Sequence, residues 1–263
     1  MSENFIKILG TAGARIAVAK QLRSSAGTFI RYDGKNIILD PGPGTLVRCA
    51  KSKPKIDVTE IDAIILTHSH IDHSNDVNIL IDAMTTGGLN RRGVLFAPDD
   101  CLNGENSVVL KYLRGFLEEI VVLKGQREYS FNGITFSTSR RHLHNVETYG
   151  IKFKMHGQVV SFMVDTRYFP ELIESYKGSD VLIVNVVRST PHKSDEIMHL
   201  CIDDVRRIIS VIRPRRTIMT HFGRTMLRSK PWVLAEKLTE ELNSEVIAAY
   251  DGMKIELNRS KRQ

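Results

Sequence analysis

The segment Thr67-His68-Ser69-His70-Ile71-Asp72-His73 places three imidazoles and one carboxylate within six residues, directly after the run Ile61 to Leu66, which is apolar except at Asp62. A short apolar run rich in β-branched residues is the pattern of a strand buried on both faces. Polar side chains at its carboxyl end then sit in a loop that a rigid strand holds in place, which is where sites are built. Imidazole and carboxylate together suit zinc, iron or manganese, whereas calcium and magnesium prefer all-oxygen cages. Such a density of ligands is what a dinuclear metal site needs, so the chain is expected to be a metalloenzyme. His68 and His70 alternate by two, so in extended chain they point to one side and can bind one ion together. Asp72 and His73 follow the turn and can face a second ion.

The remaining sequence supplies a scaffold of strands and helices. Strands are predicted at Phe5 to Leu9, Thr28 to Tyr32, Lys35 to Leu39, Ile61 to Leu66, Val94 to Ala97, Ile120 to Leu123, Arg127 to Phe131 and Ile134 to Thr138. Further strands are predicted at Tyr149 to Lys154, Val159 to Val164, Val181 to Val187 and Thr217 to Met219. Asp33-Gly34 and Asn132-Gly133 are hairpin signals, and Asp251-Gly252 is expected to join Val246 to Ala249 and Met253 to Leu257 in a closing hairpin. Helices are expected at Thr45 to Ala50, Asp76 to Met84, Ser107 to Leu117, Pro170 to Lys177, Asp203 to Ile212 and Pro231 to Leu242. Two blocks of strands, each followed by helices, imply two sheets packed face to face with helices outside. No linker or repeat interrupts them, so residues 1–263 are expected to form a single domain.

A hydrophobic content of 42% with 25% charged residues is that of a soluble globular protein. No apolar run approaches the ~18 residues of a membrane span. Glu3 and the absence of a basic, apolar and small-residue succession argue against a secretory signal, so a cytoplasmic location is expected. Cys49, Cys101 and Cys201 are odd in number and far apart, as suits reduced thiols, and they offer no zinc-finger spacing. A net charge of +7 favours anionic substrates or partners. The basic Arg259, Lys261 and Arg262 read as a short solvated tail.

Over nearly its whole length the chain resembles the metallo-β-lactamase superfamily. Thr67 to His73 matches that family's HxHxDH motif, and Asp40 with Gly42 matches its earlier Asp-and-Gly loop. His144, followed by Glu147-Thr148-Tyr149-Gly150, resembles the third-ligand motif of the phosphodiesterase and ribonuclease Z branch; the HxxGH motif of glyoxalase-like branches is absent. Asp165-Thr166 matches the bridging aspartate at a strand end, and Thr220-His221-Phe222-Gly223 the final histidine. The resemblance implies an α+β four-layer αββα sandwich holding two divalent metal ions, zinc first, with manganese or iron as alternatives. It assigns His68, His70 and His144 to one ion, Asp72, His73 and His221 to the other, and Asp165 to both. His142 shares the alternation of His144 and competes with it, but the spacing to Gly150 favours His144. His156 and His192 read as surface histidines.

The chemistry implied is hydrolysis by a hydroxide bridging the two ions, which lower the pKa of its parent water and stabilise the charge developing at the scissile centre. Asp72 can hydrogen-bond that nucleophile. His199, just ahead of the helix Asp203 to Ile212, resembles the histidine loop of the phosphodiesterase branch and is the candidate proton donor to the leaving alkoxide. Arg188 is a candidate phosphate clamp, with a surface arginine as the plainer reading.

Which hydrolase this is follows from the branch. Ribonuclease Z carries a long arm between the third ligand and the bridging aspartate, yet His144 to Asp165 spans only about twenty residues, room for two strands and the turn His156-Gly157. The EAT-type motif of that family is replaced by Asn185-Val186-Val187-Arg188. Compact spacing with His199 retained resembles the phosphoribosyl cyclic phosphodiesterase family instead, although Gln21 to Gly27 contains none of that family's zinc-loop cysteines. The leading expectation is therefore a phosphodiesterase for a small or cyclic phosphodiester. The alternatives are a ribonuclease Z-like nuclease, which leaves nucleic acid open as a partner, and a lactone or thioester hydrolase. A flavodiiron oxidoreductase is disfavoured by His70 and by the lack of a flavodoxin domain, and a non-catalytic metal binder by the retained His199. No membrane partner is expected, and a homodimer is the natural assembly to anticipate.

Overall fold

The computed structural model describes residues 3–25, 27–194 and 196–257, so the basic tail Arg259, Lys261, Arg262 lies outside it. Its contacts divide the chain into two compact units. The first takes its described residues from Met1–Gly10, Arg23–Lys124 and Asp251–Leu257, the second from Thr11–Leu22 and Gly125–Tyr250.

The first unit is built on a seven-stranded sheet in the order Met253–Glu256, Phe5–Ile8, Thr28–Tyr32, Lys35–Leu39, Ala63–Ile65, Val94–Ala97, Glu119–Val122. The first four strands pair antiparallel and the last four parallel, Lys35–Leu39 belonging to both sets. Asp33 and Gly34 both have positive φ (+48° and +76°), as a two-residue hairpin turn demands. The helix Val77–Met84 buries Val77, Leu80, Ile81 and Met84 on one face, in a core with Phe29, Ile38, Ile64 and Leu95. Each such side chain contributes about 1.5–3 kcal/mol on leaving water.

The second unit carries another seven-stranded sheet: Glu245–Ala248, Arg216–Thr220, Val181–Asn185, Gln158–Met163, Tyr149–Met155, Ile134–Arg141, Glu128–Phe131. Here the first four strands run parallel and the last four antiparallel, with Gln158–Met163 shared. The helix Ile202–Ile212 starts from a capping box, Cys201 N–H donating to Asp204. It packs Ile202, Val205, Ile208 and Ile209 into a core with Leu182, Val184 and Met219.

Several expectations need correction. Met253–Glu256 pairs with Phe5–Ile8 while Glu245–Ala248 pairs with Arg216–Thr220, so no closing hairpin forms. Of Asp251 and Gly252 only the glycine has positive φ, +87°, which rules out the hairpin turn that Asp33-Gly34 makes. The expected helix Ser107 to Leu117 shrinks to a 3₁₀ segment, Lys111–Phe116. Its leading backbone is taken up elsewhere: Leu110 N–H donates to Asn78 Oδ1, and the Val108 carbonyl accepts from Asn78 Nδ2. Pro170–Tyr176 is likewise 3₁₀. The strand expected over Ile61 to Leu66 covers only Ala63–Ile65, although Asp62 and Leu66 still make backbone hydrogen bonds to the neighbouring segments. Short helices at Ala14–Ala19, Ile71–Ser74, Asp99–Leu102 and Arg224–Arg228 are too brief for apolar periodicity to reveal. Among the described residues no helix is long and apolar enough to cross a membrane.

Candidate metal centre

In both units expected ligands stand past the carboxyl ends of parallel strands, where open α/β sheets bind their ligands, while His144 follows the antiparallel strand Ile134–Arg141. In the first unit Asp40 follows Lys35–Leu39 and Thr67-His68 follows Ala63–Ile65. The Asp40 carboxylate accepts from Thr67 N–H at 2.7 Å, from Thr67 Oγ1 at 2.6 Å and from His73 Nδ1 at 2.9 Å. With its hydroxyl proton given to Asp40, Thr67 Oγ1 accepts from His68 Nδ1 at 3.0 Å. A carboxylate and a committed hydroxyl can only accept, so both rings carry their proton on Nδ1 and present the Nε2 lone pair. That is the tautomer a metal-ligating imidazole requires, fixed by its outer partners. The His68 and His73 rings lie 4.1 Å apart between centroids, and His68 and His70 4.9 Å.

Asp40 is held in a positive-φ conformation, +50°. Two residues on, Gly42 packs so tightly that a Cβ there would meet the Asp72 carbonyl oxygen at 2.1 Å and that of Ser25 at 2.3 Å. The motif's glycine is thus the space through which the Asp40 loop reaches the helix Ile71–Ser74 carrying Asp72 and His73. His70 is the N-cap of that helix.

The second unit gathers its ligands around Asp165. Oδ1 accepts from Asn185 Nδ2 at 2.8 Å and lies 3.3 Å from His221 Nε2. Oδ2 lies 3.5 Å from His199 Nδ1 and 3.9 Å from His144 Nε2. His144 Nδ1 donates to the Met198 carbonyl at 3.2 Å, which again leaves Nε2 as the acceptor. His221 has φ +60° and is pinned by its neighbour: Phe222 N–H donates to Thr11 at 2.7 Å, and Gly13 N–H donates to Phe222 at 3.2 Å. A Cβ on Gly13 would lie 2.2 Å from His221 Cδ2. His199 sits two residues ahead of the N-cap Cys201 with its side chain 21% exposed.

His142 is not a rival to His144. Its Nδ1 bonds the Asp165 carbonyl at 3.1 Å and its Nε2 the Tyr176 hydroxyl at 2.8 Å, while burial pushes its pKa down to about 4. Arg188 Nε donates to the Thr190 carbonyl at 3.2 Å, and its backbone bridges to Cys201. His192 is exposed, and half-buried His156 forms the turn with Gly157. Asn185, Gly13 and the orienting role of Asp40 went unread in the sequence. Asn185 stood out there only at the end of an apolar run and as the first residue of the segment replacing the EAT-type motif.

The donor set fits divalent ions. Bonds of about 2.0–2.1 Å in tetrahedral array place neighbouring donors about 3.4 Å apart, and the 3.3 Å and 3.9 Å separations of Asp165 from His221 and His144 bracket that value. The two carboxylate oxygens face different imidazoles, as a carboxylate shared between two ions would.

Sheets half parallel and half antiparallel, with histidine and aspartate at the parallel carboxyl ends, define a metallo-β-lactamase fold, an α/β sandwich of two mixed sheets flanked by helices. The family described as "Beta-lactamase superfamily domain" matches residues 35–222, and the chain belongs to it. An uncharacterized protein of Methanocaldococcus jannaschii is 32% identical over 265 residues, covering 97% of this chain and 96% of its own. Ribonuclease Z of Borreliella burgdorferi is 23% identical over 318 residues, covering 97% of each. The crystal structure of a diphosphatase of the PhnP family superposes with a TM-score of 0.72 at 23% identity, covering 97% of this chain and 98% of that one. The protein is accordingly a hydrolase of the metallo-β-lactamase fold, which implies divalent metal ions.

Proposed function

We propose that residues 1–263 act as one hydrolase domain, a dinuclear phosphodiesterase for a small or cyclic phosphodiester. The observation that carries this reading is the Asp165 carboxylate, whose two oxygens are divided between His221 and His144. His68, His70 and His144 would hold one ion, Asp72, His73 and His221 the other, and Asp165 both, with zinc ahead of manganese or iron. When bound, the ions supply Lewis-acid polarisation of the phosphoryl group and a water of lowered pKa. Asp72 would accept a hydrogen bond from the attacking water. His199, partly exposed with Nδ1 3.5 Å from Asp165 Oδ2, would give its proton to the leaving alkoxide.

Two findings support the phosphodiester. A PhnP-family diphosphatase shares the fold, and the span from His144 to Asp165 is filled by the hairpin Tyr149–Met155 and Gln158–Met163, with no arm for gripping a folded RNA. The ribonuclease Z relatives and the +7 charge favour a second reading, a nuclease. Metal analysis followed by assay on bis(p-nitrophenyl) phosphate, a cyclic phosphodiester and a lactone tests the proposal. Asp165→Ala is expected to lose metal and rate together, whereas His199→Ala keeps metal and loses rate mainly on esters with poor leaving groups. Strong lactone turnover without phosphodiester cleavage would overturn it.

A further inference from the structure

His142 is only 2% exposed, and each of its ring nitrogens has a hydrogen-bond partner. The Asp165 carbonyl can only accept, so Nδ1, 3.1 Å away, is the protonated nitrogen. The neutral ring then offers Nε2 as an acceptor, and the Tyr176 hydroxyl, 2.8 Å away, donates to it. Nearby bonds lace the same two segments together: Leu143 N–H donates to Thr166 Oγ1 at 3.2 Å, and Arg167 N–H to the Leu143 carbonyl at 2.9 Å. These segments carry His144 and Asp165. Gly150 admits the phenol, because a Cβ there would lie 1.7 Å from the Tyr176 hydroxyl oxygen. The glycine that serves as a spacing marker in the sequence is therefore the gap that lets Tyr176 reach His142.

The geometry points to His142 as a positioning residue: the Asp165 carbonyl fixes its tautomer, the Tyr176 hydroxyl holds its far nitrogen, and His142 holds the Asp165 peptide so that the Asp165 carboxylate and the His144 imidazole keep their mutual placement. This rests on reading Asp165 and His144 as metal ligands. A histidine that merely filled space would work in either tautomer and would be replaceable by an apolar side chain of similar volume. A positioning histidine would not, because loss of its N–H leaves a buried carbonyl without its donor and frees the ligand loop.

The first measurement needs no substitution. Long-range ¹⁵N–¹H correlation on the zinc-loaded protein is expected to show His142 protonated at Nδ1, and an Nε2–H tautomer would overturn the proposal. Tyr176→Phe and His142→Leu are expected to weaken zinc retention against a chelator about tenfold, as loss of a partner behind a ligand does, and to shift the visible absorption of the cobalt-substituted protein. His142→Gln keeps an N–H donor and is expected to restore most of both. Wild-type retention and spectrum in Tyr176→Phe and His142→Leu, even with a lower Tm, would reduce His142 to core packing. Asp165→Ala separates the two levels: if it retains both ions at wild-type affinity, the ligand reading fails whatever the tautomer of His142.

Discussion

Gly13→Ala is the substitution whose effect the structure specifies most closely. Gly13 has φ −135° and ψ 161°, ordinary extended backbone, so alanine adds no strain there. By narrowing the unfolded ensemble, such a change by itself stabilises by about 0.4–1 kcal/mol. The whole cost is therefore steric. The new Cβ would lie 2.2, 2.4 and 2.6 Å from Cδ2, Cγ and Nε2 of His221. Carbon atoms in contact rest about 3.5–4.0 Å apart, so the ring must retreat by more than about 1 Å. The backbone cannot retreat with it, being tied on both sides by the Phe222 to Thr11 and Gly13 to Phe222 hydrogen bonds. A misplacement of about 1 Å in a catalytic constellation costs on the order of a hundredfold in rate. The expected result is a kcat on bis(p-nitrophenyl) phosphate lowered about a hundredfold, with less metal per chain and a nearly unchanged Tm for the metal-free protein. Gly115→Ala is the control, since its Cβ would meet open space. Full metal content and a rate within threefold of wild type in Gly13→Ala would refute the placement of His221.

Asn185→Leu keeps the approximate volume but removes the donor to Asp165 Oδ1. A hydrogen bond to a charged acceptor contributes about 1.5–3 kcal/mol, so zinc retention in chelator competition should fall between about tenfold and a hundredfold; unchanged retention would show that the bond does not brace the ligand. Burial raises the Cys49 thiol from 9.0 to about 12. The unfolded chain therefore sheds this proton first, and stability falls as pH rises from about 9 toward 12; Cys49→Ala should flatten that stretch of a denaturant-midpoint profile, and an unaltered slope would contradict the shift. If the nuclease reading holds, cleavage of an oligonucleotide should fall steeply between low and moderate salt while hydrolysis of a small diester changes little. Parallel salt curves would remove electrostatic binding of a strand from consideration.

The candidate ligands were legible because metal chemistry restricts residue type. Only a handful of side chains bind such ions, and His68, His70, Asp72, His73, Asp165 and His221 each stand just past a strand of the parallel part of a sheet. Strand positions were readable for the same reason that β-branched runs are, and the helix Pro231–Leu242 ends where its pattern ends. What stayed hidden was everything selected by a single atom of a distant segment. Gly13 is required by one imidazole, and Asn185 bonds one carboxylate oxygen. Neither leaves a periodic or compositional trace along the chain. Asp62 shows the opposite error: a run that scans as a strand carries a carboxylate bonded to Asn36 and Arg92, and the strand itself begins only at Ala63.

The choice between His142 and His144 shows why periodicity reaches its limit at such a site. Two residues apart on a strand, they would share a face, and nothing in alternation could separate them. The strand, however, ends at Arg141, after an irregularity between Thr138 and Arg141 has broken its register with Tyr149–Met155. Beyond that point each histidine is aimed by its own partners. His142 turns inward to Tyr176 and the Asp165 carbonyl, while His144 is held from behind by the Met198 carbonyl with Nε2 toward Asp165. The distinction lies in which nitrogen of each ring is spent on a hydrogen bond. His142 gives both to the surrounding fold; His144 gives Nδ1 to a carbonyl and turns Nε2 toward Asp165. Exchanging the two roles would require the Tyr176 hydroxyl, and the gap that Gly150 leaves for it, to lie behind the other ring.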